Sequence, residues 1–137
     1  MGDIQGMNEK RLVIYQTPIA QPRARVTRWG SFDPLKETKT FIRMQIQEQV
    51  KEKLDCPIEI EMFFFMPIPK TTSKKKTLLM LDNIIKHIKR PDGDNLYKTY
   101  SDCMNDLAYK DDSQIYKFLV EKRYSDKPRT EIILRWE

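Results

Sequence analysis

The residues best suited to chemistry lie in Pro91-Asp92-Gly93-Asp94-Asn95-Leu96-Tyr97-Lys98, with a further pair, Asp111-Asp112, downstream. Between positions 91 and 112 there are six acids (Asp92, Asp94, Asp102, Asp106, Asp111, Asp112) against two bases, Lys98 and Lys110. Residues 70–90 reverse that balance, with seven bases (Lys70, Lys74, Lys75, Lys76, Lys86, Lys89, Arg90) against one acid, Asp82. Clustered carboxylates suit a divalent cation, and a basic run beside them suits a phosphate backbone. Three hard oxygen donors can hold Mg²⁺ and leave positions for water and phosphate. A lysine one helical turn after the second carboxylate could offset charge on that phosphate, or lower the pKa of an attacking water. Asp-x-Asp by itself is a weak signal, because turns favour aspartate. An EF-hand is disfavoured: counting from Asp92, the fifth position is Leu96 and the sixth is Tyr97, where a ligand and a glycine are required. No Walker loop occurs. The residues alone leave two readings open, a metal site and a solvated acidic helix start.

The totals bound the rest. A chain of 137 residues is expected to form one domain with a core of its own. A net charge of +5 favours an anionic partner without requiring one. The single histidine, His87, leaves little room for a His-based zinc site or a catalytic triad. Cys56 and Cys103 form no disulfide framework and are expected as small buried residues. No run is long enough to span a bilayer, no signal peptide is visible, and Gly6 stands where myristoylation needs Ser or Thr. A cytoplasmic protein with no membrane association is expected.

The elements that must position the acids can be read in order. Residues 1–9 are expected to be a disordered extension, with Met7 a candidate start, and residues 10–137 a single domain. Leu12-Val13-Ile14-Tyr15 reads as a first strand. Pro22-Arg23-Ala24-Arg25-Val26-Thr27-Arg28-Trp29 reads as an extended arm; Arg23, Arg25 and Arg28 suit phosphate contact and Trp29 suits stacking. As an isolated feature it reads equally as a solvated loop.

Asp33-Pro34 opens a helix. Its apolar stripe Ile42, Ile46, Val50 and Leu54 predicts an end near Asp55. Ile58 to Met66 alternates and then becomes continuously apolar, which predicts a strand buried on both faces at Phe63-Phe64-Phe65. Ser73 is a candidate N-cap before Lys74, Lys75 and Lys76. Residues 78–88 read as a short helix or mixed segment, and residues 86–90 as a short strand. Asp94 is the expected N-cap of a helix from Asn95 to about Leu107. That helix would put Leu96, Tyr100, Cys103 and Leu107 against the core, and Asp94, Lys98, Asp102 and Asn105 on a polar front. Gly93 would leave room for a metal to approach. Two final strands, residues 114–124 and 130–136, are expected to be joined by a hairpin turn at residues 126–129.

The motif Pro91-Asp92-Gly93-Asp94-Asn95-Leu96-Tyr97-Lys98, then Asp102, Leu107 and Tyr109-Lys110-Asp111-Asp112-Ser113-Gln114-Ile115, resembles the RusA family of Holliday junction resolvases. Residues 22–28, the Asp33-Pro34 start and the lysine-rich Ser73 to Lys76 are also similar to that family, so the likeness covers nearly all of the chain beyond residue ten. The resemblance implies an α+β fold, a small mixed, largely antiparallel sheet packed with two to three helices. It implies a homodimer that cuts four-way junction DNA in paired strands with Mg²⁺, or alternatively Mn²⁺, leaving 5′-phosphate and 3′-hydroxyl ends. By position it implies Asp92, Asp94 and Asp112 as metal-binding catalytic carboxylates and Lys98 as the catalytic lysine. Asn95, Asp102 and Asp111 match supporting positions. Arg23, Arg25, Arg28, Lys74, Lys75, Lys76, Lys89 and Arg90 are the expected DNA contacts. One departure stands out: Asn105-Asp106-Leu107-Ala108 replaces the Asn-Gly turn that many members carry before the Asp pair. Two rival functions remain on the page, a non-catalytic branched-DNA-binding protein from a prophage and a metal-dependent phosphoesterase acting on a small substrate.

Overall fold

The computed structural model describes residues 6–20, 25–27, 30–32 and 36–137. Strand β1 (Asn8–Ile14) is followed by a two-stranded antiparallel ribbon, β2 (Arg25–Thr27) and β3 (Gly30–Phe32). Then come α1 (Lys36–Gln49), β4 (Ile58–Pro67), α2 (Lys74–Leu81), α3 (Gly93–Met104), a 3-10 turn (Asp112–Gln114), β5 (Ile115–Ser125) and β6 (Arg129–Trp136). The main sheet has the order β1-β6-β4-β5, with β4 and β5 parallel and the other pairs antiparallel. This is the expected α+β architecture. No helix among the described residues is long and apolar enough to cross a membrane.

Strand β4 takes the centre because it is the most apolar segment. Its residues alternate buried and half-buried along the whole strand, which corrects the expectation of burial on both faces. Ile58, Ile60, Met62, Phe64 and Met66 face the helices, and they join Leu12, Ile14, Ile42, Ile46, Leu96, Tyr100, Ile132 and Leu134 in one core. Phe63 and Phe65 face the other way and are half-buried. There Arg129 sits over the Phe65 ring, 3.9 Å from its centroid. Arg11 and Arg129 both pair with the buried Glu131, and Arg135 pairs with Glu9 and Glu61. A buried carboxylate flanked by two guanidiniums avoids the large desolvation cost of an unpaired charge.

Several boundaries differ from the sequence reading. Strand β1 takes in Asn8 and Glu9, which that reading assigned to the extension, because they pair with Trp136 and Arg135. Helix α1 stops at Gln49 rather than near Asp55. Beyond Val50 the Leu54 N–H bonds the Ala108 carbonyl at 2.9 Å, so a tertiary bond replaces the next helical turn. The Asp33-Pro34 start lies outside the described residues. Gln49 exchanges bonds with the Val13 backbone (2.8 and 2.7 Å) and Gln45 accepts from the Tyr15 N–H (2.9 Å), so α1 covers the outer edge of β1. Residues 86–90 form no strand. The last two strands are not a hairpin either, because β4 lies between β5 and β6. Residues 126–128 must cross two strand spacings, about 10 Å, which three extended residues can span.

Candidate functional site

Helix α3 carries most of the candidate residues. Its N-cap is Asp92, not Asp94, and the helix ends at Met104. The Asp92 carboxylate makes no capping bond, so it stands at the positive end of the helix with its oxygens uncommitted to the backbone. Asp94 sits in the first turn, where one oxygen accepts from the Asn95 N–H at 2.9 Å. Leu96, Tyr100, Cys103 and Met104 are buried, while Asp92, Asp94, Asn95 and Lys98 are exposed. Met104 replaces Leu107 in the expected stripe, since Leu107 already lies in the turn. Gly93 faces the sheet: a methyl there would sit 3.4 Å from Val120 Cγ1 of β5. Gly93 thus lies against β5, where α3 packs closely on the sheet.

The C-terminal end of α3 is closed by side chains from elsewhere. The last four carbonyls of a helix lack helical partners. Here the Tyr109 hydroxyl donates to the Ser101 carbonyl (2.7 Å), Arg43 donates to the Cys103 and Asn105 carbonyls (2.9 and 3.0 Å), and the Leu107 and Ala108 N–H groups both bond Met104 (3.0 Å each). Asp106 adopts φ 65°, the left-handed conformation that a glycine takes most readily. The turn that many relatives make with Asn-Gly is thus made here by Asn105-Asp106, with Lys53 bonded to the Asp106 carboxylate at 2.6 Å.

Asp111 and Asp112 have different roles. Asp111 is the N-cap of the 3-10 turn, and its carboxylate accepts from the Ser113 N–H at 3.0 Å. The Ser113 side chain first, then its backbone, holds the Asp111 carboxyl below the usual carboxylate range. Gln114 completes a capping box by accepting from the Asp111 N–H (2.9 Å). Its amide also donates to the Leu54 and Cys56 carbonyls (3.0 and 3.1 Å). Asp111 is thereby committed to the backbone. The 3-10 turn that carries Asp112 packs against α3, near enough to Asp102 for the Asp112 charge to act on it.

The proximity of the two carboxyls shows in the electrostatics of the site. Partial burial, then the charge of Asp112 and the contact with it, push the Asp102 carboxyl above the usual range, while Lys98 and Lys39 pull it back. Tyr97 packs flat on Phe118, with ring centroids 4.3 Å apart. Burial and then Asp112 push its phenol up to about 12. Asp102, Asp112, Lys98 and Tyr97 thus form one group.

Asp92 and Asp94 lie at the other end of the helix. Gly93 touches Val120 and Tyr97 stacks on Phe118, so α3 runs antiparallel to β5. Asp94 precedes Asp102 by eight helical residues, about 12 Å along the axis. Within one chain, then, Asp112 is beside Asp102 rather than beside Asp92 and Asp94. Among the described residues, no three His, Cys, Asp or Glu side chains gather closely enough to hold a metal ion.

Of the expected DNA contacts, Lys74, Lys75 and Lys76 are exposed on the first turn of α2, where Ser73 caps the helix by accepting from the Lys76 N–H (3.3 Å). Lys89 and Arg90 are exposed just before Asp92. Arg25 belongs to the β2–β3 ribbon, and Arg23, Arg28 and Trp29 lie outside the described residues. Sequence reasoning missed two positioning residues. Lys122 of β5 donates to the Lys89 and Pro91 carbonyls (2.8 and 3.0 Å), tying down the segment that presents Asp92. Gln114 was visible through its three-residue spacing from Asp111, the capping-box signature. Lys122 had no signal, since its partners are distant carbonyls.

A relative in Bacillus subtilis (strain 168), the uncharacterized protein YqaN, is 32% identical over 134 residues, spanning 91% of this chain and 94% of that protein. The family model of the endodeoxyribonuclease RusA matches residues 16–135, a span that holds both ends of α3, the capped Asp-Asp turn and strands β4 and β5, and so the chain belongs to the RusA endodeoxyribonuclease family.

Proposed function

We propose that this protein is a homodimeric, divalent-metal-dependent nuclease that resolves Holliday junctions by paired cuts, with each site built from two copies of the chain. The observation that carries the reading is that the turn bearing Asp112 packs on α3 at the end away from Asp92 and Asp94, beside Asp102. Partial burial and then the charge of Asp112 raise the Asp102 carboxyl above its usual range, and a cation between them would relieve that repulsion. One chain supplies too few donors at that point. Asp92 and Asp94 wait at the opposite end of the same helix. A two-fold axis crossing α3 and β5 between the two ends would bring Asp92 and Asp94 to Asp112 of the partner subunit, twice over. The edge of β5 suits such pairing. It is the outer strand, and it exposes Tyr116, Phe118 and Leu119, whereas the opposite edge of the sheet is covered by α1.

The donor set is all carboxylate, which fits Mg²⁺ or Mn²⁺. Bound there, such an ion would polarise the scissile phosphate and lower the pKa of a water. The chain's own residues do the rest. Lys98 lies one turn before Asp102 and would neutralise phosphate charge. Lys74, Lys75, Lys76, Lys89 and Arg90, with Arg23, Arg25 and Arg28 of the ribbon region, would hold the arms of the junction. Asp102 and Asp111 support Asp112, the first by contact and the second by capping its turn. Two identical sites suit a four-way junction, whose cuts are related by an approximate two-fold.

The test is subunit mixing. Asp92→Asn and Asp112→Asn should each abolish cutting of a synthetic four-way junction in Mg²⁺ while leaving junction binding in place. Mixed and re-associated, the two inactive variants should regain cutting, because one site of each heterodimer is then intact. If the mixture stays inactive although heterodimers form, the site is not shared. If either variant alone cuts at the wild-type rate, the residue assignment is wrong.

A further inference from the structure

A second site lies beside this one. An open cleft of about 760 Å³ runs between the β4–α2 connection, the first turns of α2 and the segment before Asp92. That size is in the range of small-ligand sites, roughly 300–1,000 Å³. Lys76, Lys86 and Lys89 line it, and no carboxylate does. Its apolar wall is Met80, Ile85 and Tyr124. Tyr124 is nearly buried and packs edge-on against His87, with ring centroids 4.9 Å apart, so it is a fixed surface. Cations around an aromatic and aliphatic wall match the two halves of a nucleotide, phosphate and base. The grooves of an intact duplex offer no base face to such a wall.

We propose that this cleft takes an unpaired nucleotide of the strand that continues from the scissile phosphate, with its phosphate at Lys76, Lys86 and Lys89 and its base against the side chains of Met80, Ile85 and Ile88, for which the buried Tyr124 is the floor. The proposal rests on the nuclease reading and specifies the form of its substrate. The path is short. Lys89 is three residues from Asp92, at most about 11 Å of chain. Lys122 holds that segment through the Lys89 and Pro91 carbonyls, so cleft and catalytic carboxylate move as one piece. Opening a pair near the cut is cheapest at the branch point, where stacking is already interrupted. The cleft would thereby draw the enzyme to branched DNA.

The experiment measures binding in EDTA, by fluorescence anisotropy, to two synthetic four-way junctions. One is fully paired, and the other has a single unpaired nucleotide on each cut strand beside the branch. The wild-type protein is expected to prefer the second by about tenfold, the contribution of one stacked base. Lys76→Ala/Lys86→Ala should lose that preference. Lys74→Ala/Lys75→Ala removes the same amount of charge from the start of α2, at two lysines that do not line the cleft; it should weaken both junctions alike and keep the preference. No preference in the wild type, or equal behaviour of the two double variants, overturns the proposal. Cutting of the paired junction in Mg²⁺ is read in parallel. A protein that cuts without the preference refutes the cleft alone, whereas one that neither binds nor cuts junctions refutes the nuclease reading too.

Discussion

Tyr109→Phe isolates the bond that joins α3 to the turn that follows it. The Tyr109 hydroxyl donates to the Ser101 carbonyl at 2.7 Å, and both residues are buried. Burial pushes the phenol far above its ordinary value, so it remains a neutral donor wherever the protein is folded. The substitution removes one oxygen and keeps the ring, so no large cavity opens. It leaves a helix-terminal carbonyl without its partner, at a cost of about 1.5 kcal/mol. Unfolding entropy near 2.1 cal/mol/K per residue amounts to about 0.29 kcal/mol/K for a chain of 137 residues. The expected fall in Tm is therefore about 5 °C. Thermal melts followed by circular dichroism measure it, with Tyr116→Phe as control. Tyr116 is exposed and bonded only to the Glu59 carboxylate, so its loss should move Tm little. Junction cutting should fall as well, because Tyr109 anchors the segment that delivers Asp112. If Tyr109→Phe melts within about 1 °C of wild type, side-chain capping does not hold the end of α3, and the account of how Asp112 is placed is wrong.

Other outcomes follow from the same geometry. Burial first, then Lys122, holds the His87 imidazole below its usual value of 6.5, and its buried Nδ1 has no hydrogen-bond partner among the described residues. The unfolded chain therefore binds that proton at higher pH than the folded one, and stability falls as pH drops below about 6.5. His87→Leu should show a smaller loss of Tm between about pH 7 and about pH 5 than wild type does; an equal loss would remove His87 as the cause. Asn83 has φ 58° and a buried side-chain oxygen without a partner. Asn83→Ala should cost about 1 kcal/mol in urea unfolding and Asn83→Gly almost nothing, and the reverse order would contradict the left-handed assignment. Gln114→Ala removes four hydrogen bonds around the Asp111–Asp112 turn and should cost about 2 kcal/mol. It should also slow cutting without weakening junction binding, and unchanged cutting would show that the turn needs no such clamp.

Much of this protein was legible along the chain. Amphipathic spacing located α1 and α3, Ser73 marked the start of α2, and alternation marked β4, β5 and β6, because these signals depend only on neighbours in sequence. The spacing of Asp92, Asp94, Lys98 and Asp112 identified the family. What a one-dimensional reading could not supply was the order of the strands and the distances between acids. The choice of β4 as the central strand, between two strands consecutive in sequence, minimises exposed apolar surface over the whole domain, and no local pattern encodes it. Nor does motif spacing reveal that α3 runs antiparallel to β5. That direction puts Asp112 beside Asp102 and leaves Asp92 and Asp94 about two helical turns away. Residue types along the chain determined which chemistry is possible here; tertiary packing decided which carboxylates share a charge, since Coulomb repulsion depends on distance through space and not along the backbone.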